Sequence, residues 1–156
     1  MASRNEFVAA APRIAEVFVR RHTATGYLCL LATIRSDGSP RIFEDRLLLV
    51  GMPNTAKYRD LDRDPRFCLH TATVDPYVGE GDAKLWGEAV NLQDSGLHQR
   101  FADFLFEEAG LDLRGQVFDP FYVAEITAAS SVAFENGQLS ITIWKPGEGE
   151  RVEQKS

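Results

Sequence analysis

The stretch of this sequence best equipped for chemistry is Gly51-Met52-Pro53-Asn54-Thr55-Ala56-Lys57. An apolar run ends there and a helical pattern begins. Unpaired backbone N–H groups, the Thr55 hydroxyl and the Lys57 ammonium can therefore converge on one anion, and phosphate suits such a cradle. Arg41, just past an earlier turn, could add a second positive charge if its strand runs beside this one. The same residues also satisfy an ordinary helix start, with Asn54 as the cap, Lys57 in solvent and Arg41 on a barrel rim. Residue types and spacing leave both readings open.

Other chemistries find less support. His22, His70 and His98 stand apart with no H-x-x-x-H or Cys/His cluster, so no metal set is expected. No serine sits in a G-x-S-x-G elbow, and Cys29 and Cys68 lie in apolar runs without C-x-x-C spacing, as buried thiols do. Gly79-Glu80-Gly81 begins like a dinucleotide loop, but Lys84 stands where the third glycine belongs and the segment joins two strands. Trp86 and Trp144 fall in strands and read as core or interface aromatics. Asp60, Asp62, Arg63 and Asp64 read as the solvated face of a short helix. No side chain emerges as a catalytic acid, base or nucleophile.

The elements that must position these residues follow from periodicity. Phe7, Ala11, Ile14, Val17 and Phe18 predict an amphipathic N-terminal helix from about Arg4 to Arg21, with Pro12 a candidate for its true first turn. Tyr27 to Ile34 reads as a strand, turning through Asp37-Gly38 into a returning strand from Pro40 toward Val50. A short helix runs from Thr55 to Arg63 and must stop before Pro65. Strands follow over Arg66 to Val74 and Ala83 to Leu92. A helix capped by Asp94 or Ser95, with Leu97, Phe101, Phe104 and Leu105 on one face, then stops at Gly110. Tyr122 to Phe134 and Gln138 to Trp144 form a hairpin through Asn136-Gly137, and residues 145–156 read as an exposed tail. Six strands joined mostly by tight turns, with helices flanking them, predict a mainly β, α+β architecture: a six-stranded antiparallel barrel.

At 156 residues, one domain is expected over 1–156, with the N-terminal helix occupying 1–25. The 17 Lys plus Arg against 23 Asp plus Glu give a net charge of −6, which argues against a nucleic acid partner. No apolar run approaches the ~18 residues of a membrane span, and Pro12, Arg13 and Glu16 interrupt what a signal peptide would need. A soluble, cytoplasmic protein is the expectation.

Four pieces, in this order and spacing, resemble the pyridoxamine 5′-phosphate oxidase-like FMN-binding split barrels. They are Leu31 to Ile42 (LATIRSDGSPRI), Thr55 to Thr71 (TAKYRDLDRDPRFCLHT), Asp82 to Ala89 (DAKLWGEA) and Ile143 to Gly147 (IWKPG). The resemblance implies a homodimeric split barrel that binds FMN at the dimer interface and oxidises or reduces a small molecule. Arg41, Thr55 and Lys57 would hold the phosphate, backbone near Ile42 would border the isoalloxazine ring, Lys84 would face its polar edge and Trp144 would pack beside it. Related split barrels use the deazaflavin F420, and others carry flavin or haem without catalysis. Arg151-Val152-Glu153 has an acid where the oxidases of this family carry R-x-H, and Leu97 to Glu108 supplies no trio of Tyr, Arg and Ser such as they use. Vitamin B6 oxidation is therefore not the expected reaction.

Overall fold

A computed structural model describes residues 2–24, 29–32, 41–43, 46–49, 54–71 and 81–155. Its N-terminal helical region is two helices. Ser3 caps α1 (Arg4–Ala10) in a reciprocal box with Glu6, and Pro12 opens α2 (Pro12–Ala24). The break has a local cause. Proline keeps the preceding residue out of the helical region, and Ala11 takes φ −134°.

Eight strands among the described residues form one antiparallel sheet: β1 (Cys29–Ala32), β2 (Arg41–Phe43), β3 (Arg46–Leu48), β4 (Arg66–Thr71), β5 (Asp82–Asn91), β6 (Tyr122–Glu135), β7 (Gln138–Lys145) and β8 (Gly149–Lys155). Six follow the order β1-β4-β5-β6-β3-β2, while β7 joins β6 and β8 joins β7. The helices α1, α2, α3 (Ala56–Arg63) and α4 (Ser95–Ala109) flank this sheet, and the whole is a split-barrel α+β fold.

Two sequence expectations change here. The stretch from Pro40 to Val50 is not one strand, because Ile42 pairs with Leu47 and Phe43 with Arg46, so the chain reverses within it. The polar pair Glu44-Asp45 between two apolar runs was the only sign of that turn. Residues 149–155 are mostly exposed, as a tail would be, but pair along β7 from Lys145–Gly149 to Leu139–Lys155, so they form β8. Backbone pairing needs no apolar side chains, which is why hydropathy missed it. The Asp37-Gly38 turn and the Gly79-Glu80 loop lie outside the described residues.

Alternation along the strands builds two cores. Phe67, Leu69, Ala83, Leu85 and Ala89 point inward to meet Phe7, Ile14, Phe18, Tyr58 and Leu61 of the first three helices. On the other face Leu48 and Val123 are covered by Leu97, Phe101 and Leu105 of α4. The short strand β3 is thus buried on both sides, Leu47 inward and Leu48 outward. At Gly87, where β5 and β6 slip register, an added Cβ would lie 2.2 Å from the Glu125 carbonyl oxygen and 2.7 Å from the Phe67 ring. Only glycine permits that approach.

Candidate functional site

The two cation-bearing segments stand before and after β3 in chain order. β2, which carries Arg41 and Ile42, pairs with β3 so that Arg41 faces Leu48 and Ile42 faces Leu47 in register. β3 in turn leads toward α3, where Thr55 and Lys57 stand. Of Arg41 and Ile42 the structure describes the strand and its register.

At the helix start the ordinary alternative fails on two counts. Asn54 is exposed with φ 63° and does not serve as the N-cap; Thr55 does, in extended conformation and without a side-chain cap hydrogen bond. Lys57 is not in solvent either, being 5% exposed in the first turn of α3. The helix dipole places partial positive charge there, and no acidic residue occupies that turn, so a buried lysine adds like charge to like. The Thr55 Oγ1 is buried with no hydrogen-bond partner among the described residues. A hydroxyl without a partner among the described residues and a helix start without a side-chain cap thus leave donors at this end of α3, beside a buried lysine.

Residues that sequence reasoning missed hold this helix in place. The Lys57 Nζ lies 5.3 Å from the centroid of the Tyr58 ring, and that ring meets Tyr122 edge to face at 5.5 Å. The Tyr122 hydroxyl donates to Asp62, returning from β6 to α3. Burial, then that hydrogen bond, hold the phenol well above its ordinary pKa. Asp62, expected on a solvated face, therefore anchors its helix to the barrel. Its partner is 60 residues away in sequence, so spacing carried no signal.

The remaining expected residues lie elsewhere within the chain. Lys84 alternates with the inward Ala83 and Leu85 and so occupies the opposite face of β5, beside His70 of β4 and Ser130 of β6. His70 approaches Asp82 at 3.5 Å on that face, and burial pushes the neighbouring Cys68 thiol up while Lys84 pulls it down. α3 packs into the inner core instead, which separates Lys84 from Lys57 within one chain. Trp144 lies on the inward face of β7, 1% exposed, edge-on to Phe7 at 5.2 Å. His98 is a core histidine, its Nε2 2.9 Å from the Leu92 carbonyl and its ring against Phe121. Among the described residues no three His, Cys, Asp or Glu gather as a metal set, and no helix is long and apolar enough to cross a membrane.

No family profile and no curated protein matches the sequence. Among solved structures, the chain is similar to a pyridoxamine 5′-phosphate oxidase-related, FMN binding protein from Nostoc punctiforme, with a TM-score of 0.57 and 12% identity. The similarity covers 93% of this chain and 95% of that one, so the two share a fold from end to end.

Proposed function

We propose that this chain is an FMN-dependent oxidoreductase that works as a homodimer on a small molecule other than pyridoxamine 5′-phosphate. One observation carries the reading: Lys57 is buried in the first turn of α3, next to a Thr55 hydroxyl with no hydrogen-bond partner among the described residues. Both would bond the flavin phosphate, with Arg41 of β2 as the second cation. The fold shared with an FMN binding protein supports the choice of anion. Asp62 and Tyr122 hold the helix that presents Lys57, and the bound flavin would supply the electron and hydride chemistry, so no side chain has to serve as acid or base. Lys84 faces away from this seat and would reach the flavin from the second copy.

The double substitution Arg41→Ala/Lys57→Ala tests the site. FMN titration followed by flavin absorbance should show retention abolished, and an unchanged affinity rejects the assignment. A parallel titration with the deazaflavin F420 decides between the cofactors, since preference for F420 replaces FMN in the same seat.

A further inference from the structure

The outermost strand carries a pattern that the flavin site does not use. β8 pairs only with β7 among the described residues, and six of its seven positions are exposed. Its other edge offers a row of backbone donors and acceptors to a partner. Charged side chains ordinarily discourage such a partner, and this strand reads Gly149-Glu150-Arg151-Val152-Glu153-Gln154-Lys155. Whether those charges repel depends on what lies opposite them.

We propose that β8 is a docking edge for a second copy of this chain, the two strands pairing antiparallel about a two-fold axis at Val152. Two copies of one strand paired in this way are related by an axis perpendicular to the sheet, which keeps each residue on its own face. Directly opposed residues must also share a face, so the axis passes through a residue and never between two. Centring it on Val152 is the arrangement that pairs the whole strand. Arg151 then stands opposite the second copy's Glu153, and Glu153 opposite its Arg151. Glu150 meets Gln154, and Val152, 44% exposed, meets its own copy. Within one chain Arg151 and Glu153 already form a 3.1 Å ion pair, so the four charges would close an alternating square. Moving the axis to Arg151 sets that arginine against itself. Moving it to Glu153 sets the glutamate against itself and Arg151 against Lys155. Electrostatics therefore selects the same register that maximises backbone pairing.

This contact is distinct from the one across which the second copy's Lys84 would reach the flavin, and it does not depend on the flavin. Sedimentation velocity of the full chain should show self-association that Arg151→Glu or Glu153→Arg weakens by about tenfold or more, because each puts like charges in both symmetric pairs. The double swap Arg151→Glu/Glu153→Arg rebuilds both attractive pairs and should restore it to within about threefold of wild type. Mild oxidation of Val152→Cys should give a covalent dimer beyond any formed by the parent. A monomeric parent, single reversals that associate like the parent, a swap that fails to restore, or no added cross-link overturns the proposal. FMN titration of the same samples reports separately, since loss of the flavin reading leaves the sedimentation outcome unchanged.

Discussion

Helices α3 and α4 start in opposite ways. At α4 the Asp94 carboxylate accepts from the Gly96 and Leu97 N–H groups at 2.9 and 3.0 Å. At α3 the cap residue Thr55 makes no side-chain cap bond, and the first turn buries a lysine instead of facing an acid. The first arrangement completes itself and can only be scaffold. The second leaves the Thr55 hydroxyl without a partner among the described residues, and under the proposed function it is there that the flavin phosphate would bind.

The largest effect should come from the scaffold side of this contrast. Phe101→Ala empties a position that is 2% exposed and packed against Phe118 and Phe121. It should cost about 3–5 kcal/mol in urea denaturation, with FMN affinity per folded molecule unchanged. Lys57→Met keeps the apolar stem and removes the charge. FMN should bind about 10- to 100-fold more weakly. A stability loss with intact FMN affinity would make Lys57 a packing residue and erase the contrast.

Thr55→Val should weaken FMN by about fivefold, with no stability loss in the free protein, because the hydroxyl it removes has no hydrogen-bond partner among the described residues. The smallest change belongs to Asp94. Bonds from the Leu97 and then the Gly96 N–H hold its carboxyl below the usual range. A depressed folded-state pKa stabilises above the unfolded-state value and is lost as pH falls through the folded one. Asp94→Asn, which still caps, should therefore match the parent at neutral pH and flatten the acid-side fall of the urea midpoint.

Much of the scaffold was legible because its signals are local. Asn136 and Gly137 have φ 53° and 78° as a tight hairpin demands, and Gly110 ends α4 with φ 65°. The candidate site was legible only in outline. Thr55 and Lys57 were recognisable as anion-binding residue types, but whether Lys57 met solvent or the interior depended on how α3 packs, with the Tyr58 ring beside Lys57 and against Tyr122. Trp144 shows the same limit, since a strand tryptophan could face a bound ring or the core, and Phe7 of α1 took the latter contact.

By itself the sequence determined most of the helices and strands, where many of them stop, and which residue types could meet a phosphate. Those properties rest on backbone preference and on spacing over a few residues. Tertiary structure alone decided that β3 is buried on both faces, that Asp62 bonds across to β6, that residues 149–155 add a strand at the sheet edge, and that Lys57 is withdrawn from water. Each depends on which distant segment packs opposite, and burial, unlike propensity, is a property of the pair.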